Sequence, residues 1–198
     1  MPPRVSVIIP AFNEAERIGP TLDAVDAYLR TVPYTYEVIV VDDGSQDETA
    51  RIVTDKTRAI DHLSVLFLSH NSGKGRAVRT GMLGARGEMR LFMDADNSTS
   101  IEQIETLLPH LGEYDIVVGS RRVAGAAIVL KQGVLRDVLG ALFRMITRII
   151  VPLPVRDTQN GFKIFSARAT QDIFSRLETN GWSFDVEALS LAQRLGYK

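Results

Sequence analysis

Five short apolar runs, each followed by polar residues and then by a helical pattern, constrain this chain more than any other feature. The runs are Val5 to Ile9, Glu37 to Val41, Leu63 to Leu68, Met89 to Met93 and Asp115 to Val118. They are strand-length, and the first two, rich in β-branched residues, read as strands buried on both faces. Between them, Leu22, Val25 and Leu29 fall on one helical face. Asn13 with Glu16, Ser45 with Glu48, and Ser100 with Gln103 have capping-box spacing. Gly19-Pro20 interrupts or restarts the first helix, since proline fits best in a first turn. Strands alternating with helices imply right-handed βαβ units, and so an α/β fold with a mostly parallel central sheet flanked by helices.

In such sheets, ligands sit beyond the carboxyl ends of the strands. The polar residues of this chain gather there: Asn13-Glu14, Asp42-Asp43, Asn71 to Gly75, Asp94 to Asp96, and Arg121-Arg122. The remainder reads differently. Val134 to Ile150 is a long amphipathic helix pattern carrying Arg136, Arg144 and Arg148. A polar loop, Asp157 to Lys163, leads to a strand-like Ile164-Phe165. Ser166 caps a helix to about Leu177, and Gly181 to Asp185 opens a last helix ending near Gly196.

Composition narrows the functions. A net charge of -1 gives no general pull toward nucleic acid. The absence of cysteine excludes disulfides and thiolate metal sites, and His62, His70 and His110 are too scattered to suggest a histidine cluster. No signal-peptide layout precedes the first strand, and no apolar run reaches the roughly 20 residues that span a bilayer.

Asp94-Ala95-Asp96 carries the sharpest chemical signal. At the end of a strand the side-chain period is two, so both carboxylates can face the same side. Two carboxylates with open positions suit Mg²⁺ or Mn²⁺ shared with phosphate oxygens. The plainer alternative is an exposed turn with two solvated acids. Of Asp42 and Asp43, one can accept from a base N–H while the other supports the loop; a turn with Ser45 as helix cap explains Gly44 and Ser45 but not two carboxylates. Asn71 to Gly75 is neither a P-loop nor a G-x-G-x-x-G fingerprint. Its glycines can admit a nucleotide's close approach beside Lys74, or simply make a turn. Arg121 suits a pair of phosphate oxygens. Asp157 can act as a base, orient an acceptor, or cap its own loop. Trp182, the only tryptophan, is expected in the core, with an acceptor platform as the alternative.

These motifs together resemble glycosyltransferase family 2, which is inverting and has the GT-A fold. The resemblance rests on VSVIIPAFNE from Val5 to Glu14, VVDDGS from Val40 to Ser45, Asn71 to Gly75, Asp94 to Asp96, and Gly119-Ser120-Arg121. DTQNGFKIF from Asp157 and GWSFDVE from Gly181 to Glu187 are similar to the dolichyl-phosphate β-glucosyltransferase branch and its polyprenyl-phosphate relatives. Asn97-Ser98-Thr99 departs from the Gly-Ala-Thr frequent in that branch. The resemblance implies one GT-A domain over 1–198, with a nucleotide-sugar half (1–122) and an acceptor half (123–198). It implies nucleotide contacts from Pro10, Asn13, Glu14, Asp42, Asp43, Asn71, Gly73, Lys74, Asp94 and Ala95, and a Mg²⁺ or Mn²⁺ ion on Asp94 and Asp96. Asp157 is implied near the acceptor, with Arg121 and Lys163 as phosphate contacts; an ionised acceptor phosphate also calls for positive groups, and Arg136 is a further candidate.

The expected reaction is transfer of glucose from UDP-glucose to a polyprenyl or dolichyl phosphate at the cytoplasmic side of a membrane, with 134–150 as an interfacial helix. The alternatives are a GDP-mannose donor, a saccharide acceptor, and a nucleotide-sugar-binding module without turnover.

Overall fold

The computed structural model describes residues 2–119, 158 and 160–198. Arg121, Arg136, Asp157 and the 134–150 helix pattern lie outside the described residues. The described elements are β1 (Val5–Ala11), α1 (Ile18–Leu29), β2 (Tyr36–Asp42), α2 (Thr49–Thr57), β3 (Leu63–Phe67), α3 (Lys74–Gly84), β4 (Met89–Met93), α4 (Ile104–Leu107), β5 (Ile116–Val118), β6 (Phe162–Ser166), α5 (Ala167–Phe174) and α6 (Phe184–Arg194). Short 3₁₀ turns flank α4.

The six strands form one sheet in the order β3-β2-β1-β4-β6-β5. β1 to β4 are parallel, with Pro10 beside Val41 and Val7 beside Leu91. β6 runs antiparallel to both neighbours, with Met93 beside Phe162. The reversed direction brings the start of β6 to the edge where the parallel strands end. The chain moves outward from β1 to β3, then returns to place β4 on the other side of β1. That reversal is where open α/β sheets form their ligand crevice.

Strand alternation sorts the core into two layers. Val5, Val7, Ile9, Val38, Val40, Leu91 and Met93 meet Leu22, Val25 and Leu29 of α1 and Val53 of α2. Ile8, Ile39, Val41, Phe92 and Phe165 meet Ala77, Val78 and Met82 of α3, with α5 and α6 beside them. Because helices cover both faces, the strand sequences are continuously apolar rather than alternating.

Helix starts follow the sequence less closely. Ser166 does cap α5, accepting from the Ala169 N–H at 3.2 Å. Pro20 sits in the first turn of α1, as expected. Asn13 does not cap α1, which begins at Ile18 and takes no side-chain cap. Ser45 does not cap α2, and Ser100 accepts no side-chain capping bond. Asn13 and Ser45 are engaged in bonds between loops instead.

At the amino edge of the sheet, Glu37 ties three strands together. Its Oε1 accepts from Ser6 Oγ at 2.6 Å and the Arg86 N–H at 2.7 Å, while Oε2 accepts from the Arg86 guanidinium at 3.0 Å. Ser6 Oγ also accepts from the Gly87 N–H at 2.8 Å. Burial pushes the Glu37 carboxyl up, but these donors outweigh it and hold the group below its ordinary 4.5. Glu37→Ala strands the buried Ser6 hydroxyl and the Arg86 N–H, while the exposed Arg86 guanidinium returns to water, and should cost about 1–3 kcal/mol in urea unfolding at neutral pH. Because the folded value is depressed, the stabilisation is complete above 4.5 and is lost as pH falls through the folded value. The gap between wild type and Glu37→Ala should therefore narrow in acid.

Candidate active site

The loops after β1 and β2 are stitched together by side chains the sequence suggested for ligand binding or capping. Asn13 takes a left-handed conformation (φ 54°). Its N–H donates to Ser45 Oγ at 3.0 Å, and its Oδ1 accepts from the Gln46 N–H at 2.9 Å. The Glu14 N–H donates to Thr49 Oγ1 at 2.7 Å. Asp42, buried, accepts from the Ser45 N–H at 3.3 Å and bonds the Ser45 hydroxyl.

Asp43 does the same for the next loop. It is 3% exposed, and its two oxygens accept from the Ser72 and Gly73 N–H groups at 2.8 Å each. Both aspartates thus support loops, where the sequence suggested that one would be free for a base. Each Asp43 oxygen retains a second lone pair.

The glycines of the 71–75 loop admit a second stretch of backbone. A Cβ on Gly73 would lie 2.4 Å from the Asn180 carbonyl oxygen, and one on Gly75 2.4 Å from that of Thr179. The Gly75 N–H donates to the Asn180 oxygen at 2.7 Å. Their lack of side chains admits the 179–181 backbone. Glu187 fixes that segment from behind, accepting from the Glu178 and Thr179 N–H groups at 2.9 and 2.7 Å. A cavity of about 420 Å³ opens beside the joint, lined by His70, Ser72, Arg76 and Asn180.

Asp94-Ala95-Asp96 lies just past β4 and forms a turn, with the Asn97 N–H donating to the Asp94 oxygen at 3.3 Å. Strand periodicity therefore does not place the two carboxylates; the turn does. Buried Ala95 anchors it through its carbonyl, which accepts from Thr21 Oγ1 at 2.8 Å. Asp96 is exposed, and its Oδ1 accepts from the Ser98 N–H at 3.0 Å. Asp94 pairs with Lys74 Nζ at 2.5 Å. Gly161 backs this carboxylate so closely that a Cβ there would lie 1.9 Å from Asp94 Oδ2. Glu14 completes an acidic corner: burial first, then the charges of Asp96 and Asp94, push its carboxyl up against the pull of Arg17. Pro10 is half-buried in β1 beside Val41.

Two expectations change. Trp182 is not in the core; it is 76% exposed, with Lys74 Nζ 5.0 Å from its ring centroid. Lys163 is not a surface contact for an acceptor phosphate. It is 1% exposed, and its ammonium donates to Asp185 Oδ1 and the Asn160 oxygen, both at 2.5 Å. Burial lowers the Lys163 ammonium and raises the Asp185 carboxyl, and each partner's charge pulls the other back. Asn160, Asn180, Asp185 and Glu187 were not singled out from sequence. The only available signal for the last two was their place in the run Gly181 to Glu187.

The described residues thus bring Glu14, Lys74, Asp94 and Asp96 together at the carboxyl edge, with Asp43 shaping the loop beside them. No cluster of three carboxylates, histidines or cysteines able to hold a metal occurs among the described residues. Two carboxylates in an open turn suit a hard cation that keeps water and takes its remaining ligands from a diphosphate. The ammonium on Asp94 shows that this oxygen accepts a positive partner.

The glycosyl transferase family 2 model matches residues 6–174. A dolichyl-phosphate beta-glucosyltransferase of Trichomonas vaginalis is 39% identical over 197 residues, covering 94% of this chain and 58% of that one. The Drosophila melanogaster dolichyl-phosphate beta-glucosyltransferase is 38% identical, covering 96% and 63%. The chain therefore spans about three fifths of the length of these relatives. Among solved structures, Mycobacterium tuberculosis glucosyl-3-phosphoglycerate synthase in complex with Mn²⁺, UDP-glucose and phosphoglyceric acid superposes with a TM-score of 0.73 at 21% identity, covering 98% of this chain and 66% of that one. The shared fold is GT-A.

Asp43→Asn puts an amide NH₂ against a backbone donor. Amide exchange at Ser72 and Gly73 should accelerate about ten- to a hundredfold, the effect of losing roughly 1.4–2.8 kcal/mol of local stability. Unchanged protection, read by mass spectrometry, would show that Asp43 does not hold this loop.

Proposed function

The chain belongs to glycosyl transferase family 2, and from that premise we propose that it transfers glucose from UDP-glucose to a polyprenyl or dolichyl phosphate with inversion. The observation that carries the reading is the cluster of Lys74, Asp94 and Asp96 at the sheet's switch point, beside a loop held by Asp43. The likeness to dolichyl-phosphate beta-glucosyltransferases over nearly the whole chain supports the choice of sugar and acceptor.

In the proposed reaction an acceptor phosphate oxygen attacks the anomeric carbon. The bond from that carbon to the UDP β-phosphate oxygen breaks, and its electron pair leaves with UDP. A phosphate monoester has a second pKa of about 6 and is already ionised at neutral pH. The acceptor thus needs little deprotonation, and Asp157 is assigned to orient it or take a residual proton. Asp94 and Asp96 would hold Mg²⁺ or Mn²⁺ against the diphosphate, where the ion supplies charge stabilisation for the leaving group. Lys74, at the start of α3, adds a positive charge on the same side. Pro10, Asn13, Glu14 and Asp43, with the Asn71–Gly73 loop, are assigned to the uridine, and Arg121 and Arg136 to the phosphate side.

No helix among the described residues is long and apolar enough to cross a membrane. Separately, the acceptor is assigned to a lipid surface on the strength of the likeness to dolichyl-phosphate beta-glucosyltransferases, with the 134–150 segment as the proposed interfacial element.

The test is transfer from a panel of nucleotide sugars to a short polyprenyl phosphate in liposomes. UDP-glucose should be the preferred donor, and chelator should stop turnover reversibly. Asp96→Ala should lower the rate about a hundredfold or more, which corresponds to about 2.7 kcal/mol of transition-state stabilisation. Preference for GDP-mannose, or transfer only to saccharides, would overturn the assignment. Full activity of Asp96→Ala in chelator would remove the metal from the mechanism.

A further inference from the structure

Lys163 occupies a strand position where the sheet calls for an apolar side chain. Its neighbours Phe162 and Ile164 point into one core layer, and Phe92 and Phe165 fill the other. Lys163 is paired in register with Phe92 and lies 5.0 Å from that ring's centroid. Its one charged partner among the described residues is Asp185, itself buried in the first turn of α6. A buried ion pair is a weak source of stability, because desolvating both charges offsets their attraction, and well-packed apolar residues often do as well. What an apolar pair lacks is a donor for the Asn160 carbonyl, which Lys163 Nζ bonds at 2.5 Å.

That carbonyl belongs to the peptide joining Asn160 to Gly161. Gly161 is the surface against which the Asp94 carboxylate rests, and a Cβ there would lie 1.9 Å from Asp94 Oδ2. Asn160 is buried as well. The Lys163–Asp185 pair therefore fixes the floor beneath one of the two carboxylates assigned to the metal, and it does so from α6, the helix whose Glu187 holds the 178–179 backbone.

We propose that Lys163 and Asp185 are positioning residues of the metal–diphosphate site, clamping the Asn160–Gly161 peptide so that the Asp94 carboxylate keeps its orientation. The inference rests on the metal-dependent reading of Asp94 and Asp96 given above. Neither residue touches substrate. Their effect passes through the floor under Asp94 to the affinity for the cation.

The experiment replaces the pair with apolar residues of similar size, Lys163→Met with Asp185→Leu, in the otherwise intact chain. Thermal melting and calorimetric Mn²⁺ affinity in the presence of saturating UDP are both read. The double variant should melt within about 4 °C of wild type, yet bind Mn²⁺ about tenfold or more weakly. A double variant that melts like wild type and binds Mn²⁺ as tightly overturns the inference. If the double variant does not fold, Gly161→Ala is measured instead, because it keeps the pair and presses directly on the Asp94 carboxylate. Unchanged Mn²⁺ affinity in that variant also overturns the inference. Wild-type protein that binds no Mn²⁺ with UDP overturns the metal reading itself, and the positioning role with it.

Discussion

The approach of the Gly73–Gly75 backbone to the Thr179–Gly181 backbone is the constraint on which the rest of the site depends. No side chain fits between the two segments. One is the entrance to α3 and the other is the approach to α6, so their meeting fixes how two helices on one sheet face sit relative to the strand ends. Asp43 holds the first segment through two N–H groups, and Glu187 holds the second through two more. Four backbone donors that would otherwise need water are thereby satisfied by two carboxylates. Lys74 leaves this joint so that its ammonium reaches both Asp94 and the Trp182 ring.

Much of the architecture is legible in the amino-acid sequence because it depends on one-dimensional pattern. Val5 to Ile9 and Glu37 to Val41 are strands within one or two residues of their apolar runs, since a strand buried on both faces has no choice but to be continuously apolar. The carboxyl-edge site is legible for the same reason: strand ends carry the polar residues. Helix caps are less so. Ser45 has the spacing of a cap, but Asp42 lies within reach of its hydroxyl, and a charged acceptor three residues away competes with the helix for it. Asn13 is drawn off in the same way by the loop after β2.

The site's interior is hidden from sequence because it depends on long-range pairing. Lys163 stands two residues after a glycine, at the end of a polar loop; only its register beside Phe92, and Asp185 arriving from 22 residues further on, shows why it is buried. The same holds for Gly73 and Gly75. A glycine loop after a strand suggests a ligand, and nothing local reveals that another stretch of backbone occupies the space. Asp94 and Asp96 are singled out in the sequence by type and place, while the turn that carries them at the carboxyl edge follows from Ala95 being anchored to Thr21, 74 positions away.

The position of Trp182 has a spectroscopic consequence. It is the only tryptophan of the chain, it stands in solvent, and among the described residues the cation over its ring is the ammonium that also pairs with Asp94. Any event that draws Lys74 toward a diphosphate, or away from Asp94, changes the electric field at the indole. The protein thus carries its own fluorophore at the mouth of the site, with no second indole to dilute the signal. Emission from one residue can follow occupancy of the carboxyl edge in real time, without a label.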